Sequence, residues 1–211
     1  MSRFASGLFG VFLLIVGAAR AEPMEDVDYV QIDPQPVHTG ARVEVIEFFY
    51  YGCSACQRFE PLLSEWVKRK PADVEFRRAP ALRRADWIPL TRLYFALEAL
   101  DTLPRLHEEV YRAIHEQGNG LQTSAEITQW AQSQHLHPSR LAEVLMSDAV
   151  LLKVQRARDV TVEYGIRTTP SLVVDGRYLT SGAMLGDVQR LIDVLDELVE
   201  MARRRRAIGN E

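Results

Sequence analysis

Between residues 43 and 50 the chain is a run of valine, isoleucine and aromatic residues interrupted only by two acids, Glu44 and Glu47. A β-rich run with so little alternation predicts a strand buried on both faces. From Ala55 the period changes. Phe59, Leu62 or Leu63, and Trp66 or Val67 fall on one stripe of a helix, with Pro61 inside it as an expected kink. Residues 74–77 read as a second strand, parallel to the first because a helix separates them, with a right-handed crossover. Upstream, residues 29–32 form a candidate edge strand and Asp33-Pro34-Gln35-Pro36 a break.

Residues 85–164 carry helical periodicity throughout. Leu90, Leu93, Tyr94, Leu97 and Leu100 mark one helix; Leu106, Val110 and Ile114 mark the next, which stops around Gly118-Asn119-Gly120. Thr123-Ser124-Ala125-Glu126 is a capping-box pattern opening another. Pro138 begins a short helix, and Val150, Val154, Ala157, Thr161 and Tyr164 stripe a longer one ending at Gly165. Strand signals then return. Ser171-Leu172-Val173-Val174 leads into the turn dipeptide Asp175-Gly176, and residues 177–180 pair back as a hairpin. A last helix buries Val188, Leu191, Ile192, Leu195, Leu198 and Val199. The order β, βαβ, helices, ββα predicts an α/β fold: one layered domain in two parts, residues 22–84 and 165–211, with an all-helical insertion at 85–164.

Residues 1–21 read as an export signal. Arg3 starts it, residues 4–19 are uncharged, and Ala19-Arg20-Ala21 matches the small-x-small pattern before a cut between Ala21 and Glu22. The apolar run is short for a membrane span, which needs about 20 residues, so no stable membrane insertion is expected after processing. The 211 residues carry 25 Lys and Arg against 29 Asp and Glu, a formal charge of −4. That balance argues against nucleic acid as a partner.

The chain has two cysteines, spaced Cys53-Ser54-Ala55-Cys56 at the exit of the apolar strand and the start of a helix. A helix N-terminus presents unpaired N–H groups and a positive dipole end to the first sulfur. Both favour thiolate, and thiolate stability decides whether such a pair gives or takes disulfides. Export matters here, because a disulfide persists outside the cytosol. A purely structural disulfide is the plainer alternative, but a loop of two residues restrains an unfolded chain little. A zinc site would need further ligands, and His38, His107, His115, His135 and His137 show no matching spacing.

Glu47-Phe48-Phe49, the Cys53–Cys56 motif with Phe59-Glu60, and Gly165-Ile166-Arg167-Thr168-Thr169-Pro170-Ser171 running into Val174-Asp175-Gly176 form a recognisable set. Together they resemble the DsbA family of exported thiol–disulfide oxidoreductases. The resemblance implies a thioredoxin-like fold with an inserted helical domain. It implies a periplasmic, monomeric dithiol oxidase that donates its Cys53–Cys56 disulfide to folding exported proteins through a mixed disulfide on Cys53. The redox-active disulfide would serve without metal or organic cofactor, and a DsbB-like membrane protein would reoxidise it. A reductase or isomerase of the same fold, or a peptide-binding chaperone, are the alternatives.

The same resemblance implies roles for individual residues. Cys53 is expected to be accessible and Cys56 shielded. Glu47 would be a buried acid beneath the pair, exchanging a proton with Cys56. Pro170 would be cis, with Thr169 offering backbone groups to an extended substrate. Tyr50, Tyr51 and Gly52 either rim the site and contact peptide or pack in the core, two equal alternatives. Ser54 and Ala55 stand where strongly oxidising members carry Pro-His, so a less extreme redox poise is expected. Glu60 is expected on the helix surface, although the resemblance allows it a role in the same proton network, and Arg203-Arg204-Arg205-Arg206 as a solvated basic tail.

Overall fold

The computed structural model describes residues 22–208; the expected export signal lies outside the described residues. β2 (Val43–Phe49) is buried at every position, as its unbroken apolar pattern predicts. It lies inside a five-stranded sheet of order β1-β5-β4-β2-β3. β1 is Val30–Gln31, β3 Val74–Pro80, β4 Ser171–Val174 and β5 Tyr178–Ser181. β2 runs parallel to β3 and antiparallel to β4, and β5 pairs antiparallel with both β4 and β1.

β3 continues three residues past its expected end. The reason lies in Arg77 and Arg78, whose charges mask a strand signal but which are satisfied across the sheet. In the parallel register Glu47 stands opposite Arg78, and Arg77 Nε reaches Glu44 Oε1 at 3.2 Å. A charge is tolerated in a half-buried strand when it is paired.

Helix α1 (Ser54–Arg69) connects β2 to β3 and runs through Pro61 as one continuous helix. The helical block holds α2 (Ile88–Ala99), α3 (Leu103–His115), α4 (Ser124–Ser133), α5 (Pro138–Leu145) and α6 (Asp148–Glu163). The capping box opening α4 is present: Thr123 Oγ1 accepts the Glu126 N–H at 3.2 Å, and Glu126 Oε2 accepts the Thr123 N–H at 2.9 Å. After β5 come the short α7 (Gly182–Leu185), which the apolar pattern does not announce, and α8 (Arg190–Ile208).

Alternation along β2 sorts the core. Val43 and Val45 pack with Phe59, Leu63 and Trp66 of α1 and with Leu195 and Leu198 of α8. Phe49, on the same side of the strand, meets Cys56 and the helical block. Ile46 and Phe48 face the other way, against Val160 of α6 and against Tyr164 and Ile166 just beyond it. Glu47 therefore shares the face that α1 covers. The end of α6 is part of the sheet's own core, which ties the helical block to the strands.

The hairpin turn carries Asp175 at φ 55° and Gly176 at φ 63°, with Arg177 N–H bonded to Val174 O at 3.0 Å. Positive φ at both central residues is the type I′ turn that Asp-Gly favours. A Cβ at position 176 would lie 2.4 Å from Gln35 O, so the turn also admits no side chain there. The arginine run is no free tail. It belongs to α8, where Arg203 binds Asp73 at 2.6 and 2.7 Å, and Arg206 binds Asp175 and, at 2.8 Å, the Gly40 carbonyl. Only Arg204 and Arg205 are exposed.

Candidate active site

Cys53 is the N-cap of α1. Its extended backbone (φ −90°, ψ 112°) turns the sulfur back over the helix end, where it accepts the Cys56 N–H at 3.3 Å. On its other side the thiol donates to the Thr169 carbonyl at 3.3 Å. Both cysteines are free thiols here; Cys53 is half-buried and Cys56 fully buried. The accessible and shielded members are thus arranged as the sequence order predicts.

Donors around the sulfur hold the Cys53 thiol down at about 5, from an ordinary 9.0. The Cys56 thiol contributes most by donating to the sulfur. Partial burial opposes the shift, and the Thr169 side chain and the Cys56 and Ala55 backbone amides add to it. Each of these donors is satisfied better by a thiolate than by a thiol. At Cys56 burial dominates instead, and the pKa is pushed well above the usual value. The two sulfurs are therefore divided into one that ionises readily and one that holds its proton. Ser54 is exposed and Ala55 half-buried; of the two, Ala55 acts on the sulfur through its amide.

The Thr169–Pro170 peptide bond is cis, and Pro170 is buried while Thr169 is half-exposed. The structure therefore brings Cys53, Cys56, Thr169 and Pro170 together. Gly52 is exposed beside them, and Tyr50 stacks on Trp87 with ring centroids 4.0 Å apart. Of the two places open to Tyr51, the rim and the core, it takes the core. It is 1 % exposed, packed against Phe49, Tyr94 and Tyr111, and gives a peptide no surface to touch. Its aromatic bulk follows β2 into the core instead.

Beneath the pair lies a buried polar chain. Glu47 is 0 % exposed, and burial pushes its pKa up to about 8 despite the facing guanidinium. Arg78 Nε donates to Glu47 Oε2 at 3.1 Å, and its Nη2 donates to Glu60 Oε1 at 2.6 Å. The other oxygen of Glu47 has no hydrogen-bond partner among the described residues, which is where a proton resides when the group is neutral. Electrostatic coupling links Glu47 to both cysteines.

Glu60 is not a surface residue. It is 3 % exposed, and a further hydrogen bond comes from Ser64 Oγ at 2.7 Å. Burial raises its pKa, but the His107 hydrogen bond and the Arg78 charge outweigh that and leave it below the usual range. The pKa of His107, 6 % exposed, is held down by burial, which favours the neutral ring. Its ring then has one assignment that satisfies every partner: Nε2–H donates to Glu60 Oε2 at 3.2 Å, and Nδ1 accepts the Tyr51 hydroxyl at 2.8 Å. A second histidine of the same helix, His115, donates from Nε2 to the Tyr51 carbonyl at 2.7 Å. Helix α3 thereby grips the segment leading into Cys53 at side chain and backbone.

Sequence reasoning missed Arg78, His107 and His115 as neighbours of the cysteines, and admitted Glu60 to the proton network only through the family resemblance. The one available signal was the cost of an unpartnered Glu47 in an apolar strand, which calls for a buried cation. No cluster of three or more His, Cys, Asp or Glu able to hold a metal occurs among the described residues. The arrangement offers thiolate chemistry at one sulfur and a proton held close to the other.

Comparison with known proteins bears on the same features. The family model for the DSBA-like thioredoxin domain matches residues 44–199. The chain is 34 % identical over 202 residues to the thiol:disulfide interchange protein DsbA of Bordetella pertussis, covering 95 % of both chains. It is 32 % identical over 211 residues to that of Burkholderia cepacia, covering 98 % of this chain and all of the relative. Among solved structures, the oxidoreductase DsbA from Xylella fastidiosa superposes with a TM-score of 0.80 at 30 % identity, over 87 % of this chain and 100 % of that one. A family pattern spanning most of the chain, with relatives matched along nearly their whole length, decides its membership: the protein belongs to the DSBA-like thioredoxin domain family.

Proposed function

We propose that the chain is a periplasmic dithiol oxidase that transfers its Cys53–Cys56 disulfide to exported proteins during folding. The observation that carries this reading is the division of the pair into a low-pKa, accessible sulfur and a buried, high-pKa one. A substrate thiolate attacks Cys53 Sγ; a substrate–Cys53 disulfide forms and Cys56 leaves as a thiolate. Glu47, neutral at physiological pH, supplies the proton that Cys56 takes up. The second substrate thiol, deprotonated, attacks the substrate sulfur of the mixed disulfide. Cys53 departs as a stabilised thiolate, and the pair has accepted two electrons.

Thr169 and Pro170 are assigned to holding the substrate as an extended segment over Cys53, with Gly52 and Tyr50 as the opposite rim. Ser54 and Ala55 set the motif's electrostatics without a charged side chain. Residues 22–84 and 165–211 are read as the two parts of the thioredoxin-like domain and 85–164 as its insertion. The disulfide is the whole redox cofactor, and a DsbB-like membrane protein restores it.

The test is equilibration of the pair with glutathione. A reduction potential less negative than that of glutathione, so that oxidised chain is consumed by reduced glutathione, is expected. A potential more negative than that would make the chain a reductase and overturn the reading.

A further inference from the structure

The loop that leads to Thr169 also walls a second feature. Between the end of β3, the last turns of α6 and residues 165–167 lies an open cleft of about 560 Å³. Four arginines line it, Arg83, Arg84, Arg158 and Arg167, and no carboxylate does. Arg84 is neutralised by Asp86 at 2.8 Å. Arg83 donates to the Arg167 carbonyl, which fixes the cleft wall to the Thr169 loop. Arg83, Arg158 and Arg167 are exposed and have no carboxylate partner among the described residues. Val162, 74 % exposed, stands among them.

This concentration of positive charge runs against the balance of a chain with a formal charge of −4. Its position matters more. Arg167 precedes Thr169 by two residues, about 7 Å of extended chain, and the Thr169 carbonyl lies 3.3 Å from Cys53 Sγ. A polypeptide laid over Cys53 and continuing along this loop passes the arginines within a few residues of its cysteine. Guanidinium forks suit carboxylates, which they bind in bidentate fashion. A concave opening admits side chains, where a bilayer plane has no way in.

We infer that the cleft lined by Arg83, Arg158 and Arg167 is a docking site for acidic residues flanking the reactive cysteine of the substrate polypeptide. It selects among substrates by charge. This rests on the oxidase reading, since the substrate must be seated over Cys53 for the arginines to be in reach.

The experiment uses the oxidised chain and three dithiol peptides that differ only in residues two and three positions from the cysteine: Glu, Gln or Lys. The second-order rate constant of disulfide transfer is measured at low and high salt. The acidic peptide is expected to react about three- to tenfold faster than the neutral one, and the basic one more slowly. The difference should collapse at high salt and in the Arg158→Gln/Arg167→Gln double variant. Equal rates for all three peptides, or a preference that survives the double substitution, overturn the docking site alone. Failure to oxidise any peptide overturns the oxidase reading with it. Charge-independent rates together with anionic-vesicle binding that the double variant abolishes would reassign the cleft to a lipid headgroup and overturn the inference.

Discussion

Cys56 gives its backbone N–H to the sulfur of Cys53 at 3.3 Å, so the partner in the disulfide becomes a hydrogen-bond donor once the disulfide opens. Reduction thus releases a set of interactions that only the thiolate uses in full. That asymmetry is the physical source of an oxidising pair: the reduced state is the better-satisfied one.

A stability difference between the two redox forms follows, with a defined pH dependence. The folded Cys53 pKa is depressed to about 5 from 9.0, so between those values the unfolded chain binds more protons. The stabilisation is complete above the unfolded value and is lost as pH falls through about 5. Glu47 has the opposite sign. Its raised pKa gives a contribution present at low pH and lost as pH rises through about 8, and its main cause is burial, which the disulfide does not remove. Urea unfolding of the reduced and oxidised chains across this window should show the reduced form gaining on the oxidised one as pH rises. A difference that stays flat would detach Cys53 ionisation from redox poise.

Glu47→Gln keeps the shape of the buried side chain and removes its proton. Arg78 retains Glu60 as a charged partner at 2.6 Å, so the fold should survive. Disulfide transfer is expected to slow by about ten- to a hundredfold and to lose its inflection near pH 8. Stopped-flow fluorescence with a dithiol peptide reads both. Rates unchanged across neutral pH would take Glu47 out of the proton path.

The buried chain should also rank two substitutions by stability. Arg78→Met removes the only cation contacting Glu47 in the described structure and strips Glu60 of its guanidinium. Leaving the ionised, buried Glu60 without that cation costs about 3–5 kcal/mol. His107→Phe leaves the Tyr51 hydroxyl and one Glu60 oxygen short of a partner, a loss of about 1–3 kcal/mol. Denaturant unfolding of the two variants should place Arg78→Met well below His107→Phe. The reverse order would mean that Glu60 does not owe its charge to Arg78.

The parts legible in the sequence are those whose cause is local. β2 announces itself because burial on both faces demands apolar residues throughout, and the cysteine motif because two residues fix its helix-end geometry. Thr169-Pro170 was legible through family resemblance. What stayed hidden depends on partners brought together by the fold. Glu60 looks like surface acid on its own helix; its burial is meaningful only with Arg78, 18 positions on, and His107, 47 positions on. Tyr51 follows the strand's apolar logic inward, but its hydroxyl needs a histidine from the helical block. Arg203 and Arg206 read as solvated charge until Asp73 and Asp175 arrive from 130 and 31 positions away.

Direct titration of the Cys53 thiolate bears most closely on the whole account. The rate of alkylation of the reduced chain, followed against pH, should give one midpoint near 5, with Cys56 unreactive while the chain is folded. A midpoint close to that of an ordinary thiol, about 9, would contradict it, because no set of donors would then be holding the charge on that sulfur.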